Sequence, residues 1–488
     1  MVCKLRNMKR IKEIIGVLLL VTGIACTEDK GNYNYTPLNE LTINGINKTY
    51  VAEIDSVLSI SVNIIGEKGF REDDYEYLWY AWRTSDAKNT DTLSLKKDLN
   101  VKLSIDVGEY TLRYVVTEKA SGVFFESEID LSVIDKYSKG VMALSRIEGD
   151  YSDITFINVK NTVTQHAYKQ ANGNSVGRHP KGIFYIGGED DVKNVVLIST
   201  EERTITVEPK DFTDFMPLSE WFYVKPEGTI VEAFATDAGK WYEYLIIDGK
   251  AYNRRVFSTR DPFWKFDPKI KGDYHLAPFS LYGAGKFFYE RDKRCFIYDR
   301  YGTMMAPEAL GSAFNANDMQ MDMLYGTAIG ENLRAVMVDD NGKRYMISGK
   351  EIDDWDRVTY ENIIQIVAEK KLEMNYTGAA EATCFAISTK EPDFLYYAYG
   401  NKIKCVSMLT GNELSEYTMV QPVDYMEFDK SENPDRLYVA VSDGSGTTGS
   451  GSIYYLQMNP QGGGALLPVK GGEFKNVCGK VVDFEYKK

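Results

Sequence analysis

The sequence predicts an all-β protein in which an N-terminal β-sandwich is followed by a seven-bladed β-propeller. Short runs of alternating polar and apolar residues follow one another over residues 41–134. A strand–turn–strand pattern then recurs seven times between residue 137 and residue 488. The chain also contains 34 tyrosines and 22 phenylalanines, and aromatic residues favour strands.

The sandwich is predicted over residues 41–135. Its seven runs begin at Leu41, Tyr50, Val57, Tyr75, Val101, Tyr110 and Val123. Seven short runs separated by Gly, Asp and Lys turns are typical of an immunoglobulin-like sandwich. The two-residue period of a strand places Tyr77 and Trp79 on one face, and we expect both, with Tyr114, to point into the core.

The propeller is predicted over residues 137–488. The seven hairpins have their turns at Gly149, Thr200, Asp248, Asp299, Asp340, Gly400 and Asp443. These turns are 41 to 60 residues apart, a repeat length typical of propeller blades. We expect the strand that starts at Val481 to pair with the hairpin near Val141 and so close the ring. A pair of β-sandwiches is the alternative, because any antiparallel fold contains hairpins.

Residues 1–25 are predicted to be a lipoprotein signal peptide. Five Lys and Arg residues precede twelve apolar or small residues, Ile14 to Ala25, and Cys26 follows. The apolar run is too short for a membrane span, which needs about 20 residues. We therefore expect cleavage before Cys26 and attachment of lipid, including palmitate, to that cysteine. Translation could start at Met1 or Met8, and a plain secretory signal with a chance cysteine is the alternative reading.

The charge of the chain excludes some partners. Subtracting the leader's +4 from the net charge of −14 leaves −18 for the mature chain. Nucleic acid binding needs clustered Lys and Arg, so we expect no nucleic acid partner. Residues 26–40 are polar, contain Gly, Asn and Pro, and are predicted to be a flexible tether.

Four cysteines remain in the mature chain beyond the proposed lipid site: Cys295, Cys384, Cys405 and Cys478. An even number in an exported protein permits two disulfides. Their flanking residues read as buried strands, which favours free, buried thiols over disulfides.

Known catalytic and metal-binding motifs are missing from the sequence. The three histidines are not at metal-ligand spacing, and HExxH, CxxC, GxSxG and the phosphate-binding loop do not occur. We therefore predict no catalytic residue, metal site or cofactor. Aromatic side chains are the better ligand candidates, because a flat ring can stack on a sugar or on a peptide side chain. The candidates are Trp221, Tyr223, Trp241, Tyr242 and Trp264. Packing between blades is the competing use of such rings.

Four segments carry a family resemblance: CTEDKGNYNY from Cys26, LNELTINGI from Leu38, GEYTLRYVVTE from Gly108 and KGVMALSRIEGDYSDITFI from Lys139. With these segments in this order, the chain resembles PKD-like family lipoproteins of Bacteroides-type bacteria. Genes of that family typically accompany a SusC-like transporter and a SusD-like lipoprotein. The resemblance implies an accessory role in the capture and uptake of glycans or peptides at the cell surface.

Together these features predict a non-catalytic, lipid-anchored lipoprotein of the outer membrane that faces the cell exterior. We expect it to bind a glycan or oligopeptide, a SusC-like transporter and a SusD-like lipoprotein. One alternative is a propeller-fold surface enzyme that acts on polysaccharide, and another is a purely structural or adhesive module. The sequence leaves open the identity of the ligand and the domain that contacts partners.

Overall fold

The computed structural model describes residues 38–187, 194–236, 242–255, 265–283, 286–355, 357, 362–430 and 432–488. The predicted signal peptide, residues 1–25, and Cys26 lie outside these ranges. Within the described residues, the chain divides into two compact units. The first contains residues up to Tyr50, Val57–Lys102 and Tyr110–Leu131, and the second contains Val51–Ser56, Leu103–Glu109 and Ser132–Lys488.

The N-terminal strands form one large sheet and two small ones. The large sheet has the order β2 (Thr49–Glu53), β9 (Phe124–Ile134), β8 (Gly108–Glu118), β5 (Tyr75–Arg83) and β6 (Asp86–Ser94). The small sheets pair β1 (Leu41–Asn44) with β4 (Asn63–Gly66) and β3 (Val57–Ile60) with β7 (Leu99–Lys102). A short 3-10 turn, Glu72–Asp74, precedes β5.

The predicted core of the sandwich is present, with two local corrections. Trp79 and Tyr114 are fully buried, and their rings stack with centroids 4.3 Å apart. The run from Val57 was predicted as one strand, but it is split into β3 and β4, which pair with different partners. Strand β6 was missed, because its sequence DAKNTDTLS is polar and carries little of the alternation that marks a half-buried strand.

The second unit consists of seven sheets within the described residues. The first sheet has β12 (Val163–Thr164), β11 (Ser152–Asn158), β10 (Gly140–Arg146) and β36 (Lys480–Lys487). The second has β13 (Pro180–Ile186), β14 (Val195–Thr200) and β15 (Thr204–Val207), and the third has β16 (Val231–Thr236), β17 (Tyr242–Ile247) and β18 (Lys250–Arg255). The fourth has β19 (Leu281–Tyr282), β20 (Lys286–Glu290), β21 (Cys295–Asp299) and β22 (Met304–Met305).

The last three sheets have five, four and four strands. The fifth has the order β23 (Glu308–Gly311), β27 (Asn362–Glu373), β26 (Arg344–Trp355), β25 (Asn332–Asp339) and β24 (Met321–Ile329), with β23 parallel to β27. The sixth has β28 (Cys384–Ile387), β29 (Phe394–Tyr399), β30 (Lys402–Ser407) and β31 (Glu413–Thr418). The seventh has β32 (Val423–Phe428), β33 (Arg436–Ser442), β34 (Gly451–Asn459) and β35 (Ala465–Cys478).

Helical structure is sparse in the described ranges. Besides the 3-10 turn Glu72–Asp74, it comprises α1 (Ala167–Asn172) and the 3-10 turns Glu148–Asp150, Leu218–Trp221 and Pro460–Gly462. None of the described residues belongs to a helix with the length and apolar character needed to cross a membrane.

Apolar side chains fill the space between every pair of consecutive sheets. One apolar core lies between the first and second sheets, and one lies between each later sheet and the next, up to the sixth and seventh. A further core joins the seventh sheet to the first, where Phe484 packs with Tyr438. Because the last sheet packs against the first, the seven sheets close into a ring, which is the architecture of a β-propeller.

The closing strand was correctly predicted. Strand β36, the last in the chain, pairs antiparallel with β10, and Tyr486 lies opposite Val141. The seven predicted hairpins are also confirmed, since each falls in a different sheet. The alternative of two β-sandwiches in this region is wrong, because a closed ring of seven cores leaves no pair of sheets facing only each other.

The cysteines of the propeller are free thiols. Cys384, Cys405 and Cys478 are buried, and Cys295 is half-buried. Burial raises the pKa of both Cys384 and Cys405 to about 12, so these thiols stay protonated and unreactive at neutral pH.

Candidate functional site

The inner edges of the sheets surround the propeller axis. Strands β13, β16, β19, β24, β28 and β32 each lie at one edge of their sheets, and β36 takes the equivalent place in the first sheet. Strand β36 contacts both β13 and β32, and β13 contacts β16. Side chains on these strands can therefore meet across the axis although they are far apart in sequence.

Six polar side chains converge there, and we name them the axial cluster. Its members are Tyr325, Tyr425, Glu427, Lys430, Asp483 and Glu485. Tyr325 comes from the fifth sheet and interacts electrostatically with Lys430 and Glu427, which belong to the seventh. Those two sheets are separated by the sixth, so the interaction runs across the ring and locates the cluster on its axis.

The axis is accessible to water at this cluster. The side chain of Lys430 is 67% exposed, and it forms an ion pair with Glu427. Glu427 and Glu485 raise the pKa of Lys430 above its usual value, outweighing the opposing effect of the surrounding protein. The exposed ammonium of Lys430 is therefore available to a ligand, both for hydrogen bonding and for charge pairing.

Two carboxyl groups of the cluster have raised pKa values. Burial raises the pKa of Asp483 to about 7, and the charge of Glu427 adds to the rise. Burial also raises the pKa of Glu485 well above its usual range, with Lys430 opposing the shift. The cluster therefore gains negative charge near neutral pH, and its charge can respond to what binds beside it.

A cavity of about 590 Å³ lies near the same inner strands, and we name it the Lys487 cavity. Its wall includes Tyr185, Glu208, Lys210, Phe215 and Lys487. Tyr185 links this cavity to the axial cluster, because Glu485 interacts electrostatically with its hydroxyl and accepts a hydrogen bond from its backbone N–H. The cavity has the size of a small-ligand pocket.

A second cavity, of about 410 Å³, lies at the turns of the third and fourth sheets. Glu290, which is buried, accepts hydrogen bonds from the backbone N–H groups of His275 and Lys293 in its wall. Lys250 donates to the backbone oxygen of Tyr274 there. These contacts tie loops together, so the charged groups of this cavity already have structural partners.

Two exposed rings, Tyr301 and Trp355, and the half-buried Asn362 form a surface that we name the aromatic edge. Tyr301 is 79% exposed and Trp355 is 48% exposed. Trp355 lies opposite Asn362 in the β26–β27 pair, so both side chains point to the same face of the sheet. Asn362 Nδ2 donates a hydrogen bond of 3.1 Å to the hydroxyl of Tyr301.

The predicted ligand-binding aromatics are not gathered in one place. Trp221 is 1% exposed and packs in the core between the second and third sheets, with the Arg254 guanidinium 5.9 Å from its ring centre. Its ring faces are therefore covered, which corrects the expectation that it presents a face to a ligand. Tyr223, two residues later, is 46% exposed.

Tyr242 is half-buried, and Lys286 Nζ lies 3.9 Å from its ring centre, so one face of this ring is occupied by a cation. Trp241 and Trp264 lie outside the described residues, and so does Cys26. Their predicted roles in ligand binding and lipidation remain predictions.

Sequence reasoning missed the axial cluster and the Lys487 cavity. Asp483, Glu485 and Lys487 alternate along β36, which is a usable signal, because charge at every second residue of a closing strand is unusual in a packed sheet. Among the described residues, no group of three or more His, Cys, Asp and Glu side chains is arranged to hold a metal ion.

The fold and these sites define the chain as an N-terminal β-sandwich joined to a seven-sheet β-propeller. Residues 26–180 match the sequence profile described as PKD-like family. This match begins at Cys26 and ends at the first residue of β13, so it covers the sandwich and most of the first propeller sheet. No match was found among curated protein sequences.

Several solved structures are similar to the chain. A quinoprotein alcohol dehydrogenase-like protein from Bacteroides thetaiotaomicron is 12% identical, with 91% of this chain and 97% of that chain covered and a TM-score of 0.32. Dihydro-heme d1 dehydrogenase NirN in complex with DHE is 9% identical, with 84% and 74% covered and a TM-score of 0.36. The propeller domain of Swd1 from Myceliophteria thermophila is 7% identical, with 58% and 98% covered and a TM-score of 0.31. At these TM-scores the propeller assignment rests on the sheet topology itself.

Proposed function

We propose that this protein is a lipid-anchored lipoprotein on the outer face of the outer membrane. In this role it binds a ligand or partner without catalysis, as an accessory component of a SusC/SusD-type uptake system for glycans or peptides. The observation that carries the proposal is the agreement of two boundaries. The predicted signal peptide ends at Ala25, and the PKD-like family match begins at Cys26.

The axial cluster supports the binding half of the proposal. The cluster brings three carboxyl groups, one ammonium and two tyrosine hydroxyls together and so offers many hydrogen-bonding groups around one axis. The exposed rings of Tyr301 and Trp355 add apolar contact area on the same propeller. A surface with both kinds of group suits an oligomeric ligand or a protein partner.

Anchoring is tested by metabolic labelling with a palmitate analogue in the native host. We expect label in the wild-type protein and in Cys3→Ser, and none in Cys26→Ser. Cys3 is the matched control, because it lies within the predicted signal peptide. Protease added to intact cells should digest the protein. Equal labelling of Cys26→Ser, or full protection from protease, contradicts the proposed anchoring.

Partner binding is tested by purification of the tagged full chain from detergent-solubilised outer membranes. We expect a SusC-like transporter and a SusD-like lipoprotein to be recovered with it. Repeated recovery of the chain alone contradicts the accessory role, even where palmitate labelling succeeds.

One observation favours an enzyme acting on polysaccharide as a second candidate. Burial raises the pKa of Asp483 to about 7, with Glu427 adding to the rise, so Asp483 can carry a proton near neutral pH beside a second carboxyl group. Two carboxyl groups in different protonation states can serve as acid and base in glycoside hydrolysis. This candidate requires product release from a broad glycan panel and its loss in Asp483→Asn, and the absence of any turnover by the wild type contradicts it.

A further inference from the structure

The side chain of Lys487 is almost completely buried. Lys487 is 4% exposed, and its Nζ donates hydrogen bonds to the backbone oxygens of Tyr137 and Pro209. Buried lysines normally have a carboxylate partner, because an unpaired ammonium is costly to remove from water. Within the part of the chain that the structure describes, the Nζ contacts these carbonyl oxygens and forms no ion pair with a carboxylate.

The fold holds this lysine in place. Lys487 is the last residue of β36 and lies opposite Gly140 of β10. An ammonium has three donors, and two are used by the carbonyl oxygens. One N–H therefore remains for another acceptor, and the side chain is part of the wall of the Lys487 cavity.

The rest of the cavity wall suits an acidic organic molecule. Lys210 and Lys488 add two further positive charges, which face the negative charges of Asp135 and Glu208. The rings of Tyr185 and Phe215 supply apolar surface beside them. The wall therefore combines three lysine side chains with aromatic surface, and at about 590 Å³ the cavity admits a molecule larger than a simple anion.

We propose that the Lys487 cavity binds a ligand that carries a carboxylate, which accepts a hydrogen bond from Lys487 Nζ while the ligand body lies against Tyr185 and Phe215. This inference rests on the proposed function and deepens it by naming the chemical class of the ligand. The carboxylate can come from an acidic sugar or from an oligopeptide. Either ligand provides a carboxylate that can pair with the buried ammonium of Lys487.

Binding of this kind is coupled to pH. Burial lowers the pKa of Lys487 to about 8, while Asp135 and Asp211 oppose that shift. The other charged groups that face it across the cavity are Glu208, Lys210 and Lys488. A bound carboxylate favours the charged ammonium and raises its pKa. Affinity is therefore highest below pH 8 and falls as the pH rises through this value, where the free protein loses the proton.

The test uses calorimetric titration of the purified full chain with three probes. These are D-glucuronate, N-acetylglycylglycine and neutral D-glucose. We expect at least one of the two acids to bind with at least tenfold higher affinity than glucose. The acid that binds more tightly identifies the source of the carboxylate, a sugar or a peptide. Equal binding of glucose, or binding of neither acid, overturns the proposal.

Two lysine variants test whether the acid binds in the Lys487 cavity. Lys487→Met keeps an unbranched side chain, shorter by one heavy atom, and removes the ammonium, and we expect at least a tenfold loss of affinity for the acid. Lys250→Met is the matched control, because Lys250 also donates to a backbone oxygen but lies in the other cavity. Unchanged binding by Lys487→Met overturns the proposal.

A measurement on the wild type covers the case in which Lys487→Met does not fold. Acetylation of Lys487 by an N-hydroxysuccinimide ester is followed by mass spectrometry at pH 8. We expect the bound acid to slow acetylation of Lys487 at least threefold and to leave that of Lys250 unchanged, and equal rates with and without the acid contradict the proposal. Palmitate labelling and recovery of the transporter do not depend on this cavity, so its failure is distinguishable from failure of the proposed function.

Discussion

The backbone N–H of Ile183 donates a hydrogen bond of 2.9 Å to Oδ2 of Asp483, although 300 residues separate them. Ile183 lies on β13 in the second sheet, and Asp483 lies on β36 in the first. The other carboxyl oxygen of Asp483 accepts the backbone N–H of Phe484 at 3.0 Å. One side chain thus links the closing strand of the ring to the inner edge of the next sheet.

Asp483 makes the stability of the propeller depend on pH. Its pKa is raised to about 7 in the folded protein, against about 3.9 in an unfolded chain. The protonated acid is therefore favoured by folding, so its stabilising effect is complete below about pH 4 and is lost as the pH rises towards 7. The difference between these limits is at most about 4 kcal/mol.

We expect Asp483→Asn to remove this dependence, because the amide oxygen can still accept the Ile183 N–H and the side chain cannot ionise. The measurement is urea unfolding of both proteins between pH 4 and pH 8. The free energy of unfolding of the wild type should fall relative to the variant as the pH rises. Asp273→Asn is the control, since the side chain of Asp273 is fully exposed. Parallel pH curves for the wild type and Asp483→Asn contradict the prediction.

Phe484 should be essential for closure of the ring. It is buried in the core between the seventh and first sheets, with its ring 5.9 Å from that of Tyr438. Phe484→Ala should lower the free energy of unfolding by about 3–5 kcal/mol, because it leaves a cavity that the sheets cannot fill. Hydrogen exchange should also become faster in β10 and β36.

Phe296→Ala is the matched control, since Phe296 is equally buried but packs between the fourth and fifth sheets. We expect a similar loss of stability with no selective change in β36. If both variants change hydrogen exchange in the same places, Phe484 has no special role in closure.

The hairpins were predictable because each carries its own local signal. The turn at Asp248 and Gly249, for example, needs positive φ at both residues, 44° and 70°, and such turns favour Asp and Gly. The inner strands were harder to predict. Strand β19 has only two residues and β28 has four, which is too short for a periodic pattern to stand out.

The candidate site could not be read from the sequence for a different reason. Tyr325, Glu427 and Asp483 are separated by many residues, and only closure of the ring brings them to one axis. At Trp221 the local sequence was misleading, because it suggested a binding residue where the fold buries the side chain. Its neighbours in the chain suggest a binding aromatic, but burial depends on Arg254 and Phe215, which no local pattern identifies as its partners.

Trp221 and Tyr223 should respond differently to truncation. Trp221→Ala should lower the free energy of unfolding by about 3–5 kcal/mol, because a fully buried indole is lost from a core. Tyr223→Ala should change it by no more than about 0.5 kcal/mol, because 46% of that residue is exposed and it lies at the surface. Thermal and urea unfolding of the two variants measure the difference. Equal stability of both would show that the indole of Trp221 is not part of the core.

Within the aromatic edge, one substitution at Tyr301 should affect stability and binding in opposite directions. Tyr301 has a φ of 51°, a left-handed conformation that is unfavourable for a bulky residue, and its side chain is 79% exposed. Glycine adopts this conformation without strain, so Tyr301→Gly should stabilise the fold by about 1 kcal/mol. A strained and exposed tyrosine that costs stability is the pattern expected of a residue kept for binding.

We therefore expect Tyr301→Gly to melt at a higher temperature than the wild type and to recover less of the transporter from solubilised outer membranes. Trp355→Ala should show the same loss of recovery with little change in melting temperature, because Trp355 lies beside Asn362, which holds the Tyr301 hydroxyl. Asn161→Gly is the control, since Asn161 also has positive φ, at 63°, but is an asparagine, which tolerates this conformation. It should change neither property appreciably. Full recovery of the transporter by both Tyr301→Gly and Trp355→Ala would exclude the aromatic edge as the contact surface, whatever their melting temperatures.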